Sequence, residues 1–142
     1  MKEDQITINK INDTEELETV FAIRQIVFVV EQNCPPELEW EFEDESAHFL
    51  AYYGDLPAGT ARWRKASEGY KLERFAVLKP FRGQGIAKEL VKAVLRDLPN
   101  DANYIYLNAQ VHAIDFYSKF GFVVEGGQFE EAGIAHYKMV KR

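Results

Sequence analysis

A chain of 142 residues, 46% hydrophobic and 13% aromatic, has ample material for one packed core, and we read residues 1–142 as a single domain. A formal net charge of -6 disfavours a protein whose business is a nucleic-acid backbone, and no apolar run approaches the roughly 18 residues that cross a bilayer. Met1 to Ile11 is polar and acidic, unlike a secretory signal, and the single Cys34 offers neither an internal disulfide nor a thiolate metal site, so the expectation is a soluble, cytoplasmic, metal-free protein, monomer or homodimer.

In chain order, Gln5 to Ile11 loosely alternates Ile6, Ile8 and Ile11 with polar residues and predicts a first strand. Asp13 or Thr14 then caps a helix over Glu15 to Val30, in which Leu17, Val20, Phe21, Ile23, Val27 and Phe28 keep helical spacing. Pro35-Pro36 follows, and the acidic stretch from Glu37 to Glu45 reads as a loop or a short second helix. From Ala47 the period becomes two through Tyr53. Pro57 to Lys65 and Gly69 to Leu78 continue a meander across the hairpin signal Ala66-Ser67-Glu68-Gly69. Gln84 to Leu98 predicts an amphipathic helix on Ile86, Leu90, Val91, Val94 and Leu95, closed by Pro99. Tyr104 to Ala109 is a strand, Ala113 to Phe120 a short helix with Gly121 as its left-handed cap, and Phe122–Glu125 with Ala135–Val140 a closing strand pair. The order describes an α+β domain around one central mixed sheet.

The stretch from Leu72 to Lys88 carries the chemistry: a strand runs through a glycine turn straight into a helix. A helix start leaves N–H groups unpaired, and Gly83 and Gly85 let that backbone approach a phosphate. Arg82 adds a fork of donors, and Lys79, Lys88 and Lys92 make a basic patch in an acidic protein. A plain tight turn would use the same glycines, but not the cations beside them. No Lys-Ser or Lys-Thr follows the glycines and the three-glycine dinucleotide fingerprint is absent, so the ligand is neither a Walker-type nucleotide nor a dinucleotide.

Arg82, Gly85 and Ala87 match the signature of the GCN5-related N-acetyltransferases, the GNAT superfamily, which the chain resembles. Ala113 to Phe122 resembles that family's second block, with Tyr117 as its usual tyrosine. Arg24, Val27 to Gln32, Asp44, His48, Leu107 to Gln110, Gly133-Ile134 and His136 resemble the ElaA/YjcF-like branch, although Gln110 stands where the wider family commonly has Asn.

The resemblance implies a GNAT fold, a mostly antiparallel mixed sheet flanked by helices, splayed between Phe75–Val77 and Tyr104–Asn108 to admit acetyl-CoA. The coenzyme would lie on Phe75, Ala76 and Val77 and on Arg82, Gly83, Gln84, Gly85, Ile86, Ala87 and Lys88, with Asn108 and Gln110 nearby. Amine attack on a thioester needs a neutral amine, an oxyanion donor and a proton for the thiolate. Tyr117 is the expected proton donor and a backbone N–H around Val77 the oxyanion donor. Glu73 is either the base or a strand carboxylate paired with Arg74 or Arg62; His48, His112 and His136 are further titratable candidates. Arg24, Glu31, Gln32 and His48 either bind the acceptor, a small or protein-borne primary amine, or serve as solvated and internally paired groups. An acyl-CoA-binding sensor without turnover is the alternative function; acyl-homoserine lactone synthesis has no sequence support of its own.

Overall fold

Hydrophobic period translates into strand and helix nearly throughout the computed structural model, which describes residues 5–11, 13–32, 46–131 and 133–141. Cys34, Pro35-Pro36, the Glu37–Glu45 stretch and Asp44 lie outside the described residues. The strands are β1 (Ile6–Lys10), β2 (Ser46–Tyr53), β3 (Leu56–Lys65), β4 (Tyr70–Val77), β5 (Ile105–Gln110), β6 (Phe122–Val124), β7 (Phe129–Glu131) and β8 (Ile134–Lys141). They form one sheet in the order β1-β2-β3-β4-β5-β8-β6, with β7 also paired to β8. Every pairing is antiparallel except β4 with β5. That parallel step requires a crossover, which the predicted amphipathic helix supplies as α2 (Ile86–Asp97).

One face of the sheet packs on α2, whose Ile86, Leu90, Val91 and Val94 are buried at the i, i+4, i+5, i+8 positions foreseen from the sequence. Contact is closest at Gly59, where an added Cβ would stand 2.8 Å from the Ala76 carbonyl oxygen and 3.3 Å from both Ile86 and Leu90. On the opposite face α1 (Thr14–Arg24) buries Val20 and Ile23 against Leu50 and Ala76. Asp13 is its cap, accepting from the Glu16 N–H at 2.7 Å, with Glu15 and Glu16 in the first turn where the helix dipole favours them.

Three elements differ from expectation. The helix expected to run to Val30 is α-helical only to Arg24 and continues as a π-helical segment, Gln25–Glu31. The wider turn there carries Val27 into the α1 core while Phe28 and Gln32 line the cleft described below. The helix expected over Ala113–Phe120 is a 3-10 turn, Val111–Ala113, followed by a short α3 (Ile114–Ser118), and Gly121 at φ +90° ends it as foreseen. Strand β7 has no counterpart in the sequence reading, because three residues are too few to show a period.

The feature that matters most for function lies in β4. Thr60 pairs with Ala76 and Arg62 with Glu73, so two residues of β4 oppose one of β3. Arg74 sits in this bulge at φ +59°, a left-handed conformation costing a non-glycine residue about 1–3 kcal/mol. The extra residue reverses parity along the strand. Leu72 before it and Phe75 after it both face the α2 core, while Ala76 turns to the α1 core. Pairing of β4 with β5 stops at Leu72–Leu107, and beyond that register the two strands part.

Candidate active site

The N-terminus of α2 and the parted strands form a continuous line. Gly83 (φ +83°) and Gly85 (φ +89°) turn the chain into the helix, and a Cβ at either would meet nothing within 4 Å. The N–H groups of Gly83, Gln84, Gly85, Ile86, Ala87 and Lys88 take no backbone acceptor among the described residues; the first such bond runs from Glu89 to the Gly85 carbonyl, 3.2 Å. Ile86 contributes only its amide, since its side chain is in the core. Arg82 donates through Nε to the Val77 carbonyl (2.8 Å) and through a terminal nitrogen to Glu31 (2.8 Å). Such a cradle of amides without backbone acceptors, at a helix N-terminus with Arg82 beside it, is an arrangement that suits an oxyanion.

The edge of β4 leads from the cradle into the cleft. The Leu78 N–H turns back to the Ala58 carbonyl on β3 at 2.8 Å, so strand alternation directs the polar groups of Val77 to the opposite, open edge. The cleft, about 890 Å3 counting its mouth, begins where β4 and β5 separate and has Phe75, Leu107, Ala109 and Tyr117 on its apolar side. Tyr117 is held edge-on by Phe75 and Phe116 at 5.8 and 5.0 Å between ring centres. Among the described residues nothing hydrogen-bonds its hydroxyl, and burial pushes the phenol well above its ordinary value of 10. The group therefore keeps its proton throughout the neutral range, as a donor must.

Glu73 also lines the cleft, but its carboxylate is already engaged. It accepts from Arg62 Nε at 2.7 Å and from Arg64 Nε at 2.9 Å and faces Lys71 Nζ at 3.3 Å. Burial alone would raise its pKa; the charges of Arg62, Lys71, Arg74 and Arg64 outweigh burial and hold it at about 2. A carboxylate so stabilised is a poor proton acceptor. Of the two readings open for Glu73, the geometry matches the ion pair rather than the base.

The expected acceptor residues divide. Gln32 lines the cleft and accepts from Gln110 Nε2 at 3.1 Å, bringing two predicted positions together. Glu31 points instead to Arg82 and so belongs to the cradle. Arg24 and His48 are not in the cleft: both are buried on the α1 side, where Phe21 lies 5.6 Å from the Arg24 guanidinium and meets the His48 ring edge-on at 6.2 Å. Helical spacing put Arg24 near Glu31 in sequence, but the turn of the helix aims it inward.

The polar wall of the cleft is made by β5, β7 and β8. Asn108 and Gln110 share one face of β5, and Gln110 pairs with His136 in register. Asn108 Nδ2 donates to Glu131 Oε1 at 3.2 Å, and Glu131 Oε2 lies 4.0 Å from His136 Nε2. Phe129 stacks on the His136 ring at 5.9 Å. Glu131 and Phe129 were missed with β7; the glycine two residues after Glu131, with φ +79° at Gly133, was the hairpin signal that could have found them.

Comparison with known proteins agrees with this geometry. Residues 12–142 match the family model for the acetyltransferase (GNAT) domain. The chain is 43% identical over 131 residues to the uncharacterized N-acetyltransferase YjcF of Bacillus subtilis, an alignment covering 89% of this chain and 93% of that one. Its fold superposes on the crystal structure of Escherichia coli ElaA with a TM-score of 0.81 and 27% identity, covering 96% and 99% of the two chains. An acyl-CoA N-acyltransferase from Pseudomonas aeruginosa gives a TM-score of 0.83 at 28% identity, covering 96% and 98%.

Proposed function

Because the chain belongs to the GNAT acetyltransferase family, we propose that it moves an acetyl group from acetyl-CoA to a primary amine carried by a small molecule or an exposed protein residue. The observation that carries this reading is the run of unpaired amides from Gly83 to Lys88, lying in line with the open edge of β4. The coenzyme pyrophosphate would take those amides together with Arg82, and Lys79 and Lys88 would add positive charge. The pantetheine arm would follow the Phe75–Val77 edge, delivering the thioester to Tyr117. There the Val77 N–H would meet the developing oxyanion and Tyr117 would protonate the departing thiolate.

The acceptor would enter from the polar wall of Gln32, Asn108 and Gln110. A cleft that is open and polar on that side favours turnover over a coenzyme sensor, which could close it with apolar groups. Net charge of -6 suits a cationic acceptor and a protein working apart from nucleic acid and membrane, in the cytoplasm, as monomer or homodimer. No helix among the described residues is long and apolar enough to cross a membrane. The test is a panel of amines, polyamines, amino acids and peptides incubated with acetyl-CoA, with release of free thiol as the readout. Turnover confined to one chemical class names the acceptor; coenzyme binding with no thiol release from any of them would leave the sensor.

A further inference from the structure

Resting on the acetyltransferase reading, we infer that His136, positioned by Glu131, is the base that takes a proton from the acceptor's ammonium group in the cleft. His136 Nδ1 lies 2.7 Å from the Ile134 carbonyl oxygen. A carbonyl can only accept, so Nδ1 carries a hydrogen in both charge states and Nε2 is the nitrogen that exchanges protons. Glu131 Oε2 stands 4.0 Å from Nε2, outside hydrogen-bond reach, which among the described residues leaves the Nε2 lone pair to an incoming ammonium. The other Glu131 oxygen is anchored by Asn108, and Phe129 covers the ring face, so position and tautomer are both fixed.

The other charges around His136 do not duplicate this role. Lys71, Glu73 and Arg74 line the cleft from β4, where the Glu73 carboxylate is engaged by Arg62 and Lys71. Lys138, next on the same strand face, is tied to Glu68 at 2.7 Å, away from the cleft. His112 lines the cleft, and among the described residues no carboxylate pairs with it. Glu131 thus does two things: anchored by Asn108, it stands beside Nε2, and its charge draws an ammonium toward that nitrogen.

The proton balance is complete without a further reactant. The ammonium gives one proton to Nε2, which later passes to solvent. As the new C–N bond forms and the C–S bond breaks, Tyr117 protonates the thiolate, and the amine's second proton returns to the phenolate.

Two measurements decide the matter. First, the tautomer of the His136 ring is read from its nitrogen shifts by NMR in the unliganded protein. The neutral ring should carry its hydrogen on Nδ1, leaving Nε2 as the acceptor, and a neutral ring protonated at Nε2 overturns the inference. Second, His136→Asn is assayed with two nucleophiles: Nα-acetyl-lysine amide or a stronger amine of the panel, which is ammonium at neutral pH, and hydroxylamine, which is already neutral. Loss of roughly 10²–10⁴-fold in kcat/KM for the ammonium acceptor, with hydroxylamine changed by less than about fivefold, is expected of a lost base. Equal loss with both marks His136 as structural and overturns the inference, as does full activity with both. Should the wild type release no thiol with either nucleophile, the acetyltransferase reading itself fails, while the ring tautomer still judges whether Nε2 is free to take a proton.

Discussion

A phenol that protonates a thiolate must hold its own proton until the thiolate forms, and the burial that raises the Tyr117 pKa ensures this. Tyr117→Phe keeps the ring contacts with Phe75 and Phe116 and removes only the donor. Turnover should fall by roughly 10²–10⁴-fold with coenzyme affinity nearly unchanged, and steady-state kinetics beside a melting curve would check it. An unchanged kcat, with chemistry rate-limiting, would take Tyr117 out of the mechanism. Glu73 answers differently, because its ordinary pKa of 4.5 is brought to about 2 in the fold. Its contribution is full above about pH 4.5 and is lost as the pH falls toward 2, since the unfolded chain binds the proton first; the two values correspond to roughly 3 kcal/mol. Glu73→Gln should therefore destabilise the protein by roughly that amount at neutral pH, and urea unfolding at about pH 3.5 should show a smaller gap from wild type. The place of Tyr117 in the cleft was legible because its sequence block is distinctive. The choice between base and ion pair at Glu73 was not, since it depends on Arg62, Arg64 and Lys71 arriving on adjacent strand positions with the carboxylate between them.

At the level of elements, the glycine turn and α2 stood out in the sequence because a strand, two glycines and a 3.6-residue apolar period adjoin there. Gly85 at φ +89° has open space where a Cβ would go, so a substitution meets backbone strain of about 1–2 kcal/mol but no clash. Gly85→Ala and Gly85→Glu share that strain and differ in charge and bulk at the anion cradle. Isothermal titration should find coenzyme affinity modestly weakened in the alanine variant and lower by roughly 100-fold or more in the glutamate variant, because like charges brought together at a binding site cost several kcal/mol. Arg82→Ala should fall between wild type and Gly85→Glu, since the amides remain. Equal affinities for the Ala and Glu variants would move the phosphate site elsewhere. Besides β7, two local features escaped the sequence. A π turn inside α1's continuation leaves no compositional mark in Gln25–Glu31, and the bulge at Arg74 uses a residue type that does not announce a left-handed backbone.

For the molecule as a whole, the alternation of β2 to β4 and the helical period of α2 made the α+β class readable, whereas the separation of β4 from β5 followed only from family resemblance. Nothing in Leu72 or Leu107 says that pairing stops at them. It stops because the Arg74 bulge redirects β4 while β5 continues its ladder with β8 as far as Gln110. A ligand in this gap would reach the α2 cradle, the β4 edge, β5 and α3 at once, linking β4 to β5 beyond the point where their pairing stops. CoA and acetyl-CoA should then raise the melting temperature by several degrees at about 100 times their dissociation constant, where binding contributes about 2.7 kcal/mol. ATP and NAD, which lack both the pantetheine arm and the 3'-phosphate of CoA and meet no Walker lysine or three-glycine turn, should give a much smaller shift than CoA at the same concentrations. Adenosine 3',5'-bisphosphate separates the cradle from the gap: it should stabilise less than CoA, because it occupies the α2 end without bridging the strands. Equal shifts with the fragment and with CoA would mean that the parted strands take no part in binding, and absence of any shift with millimolar CoA would remove the coenzyme from the cradle altogether.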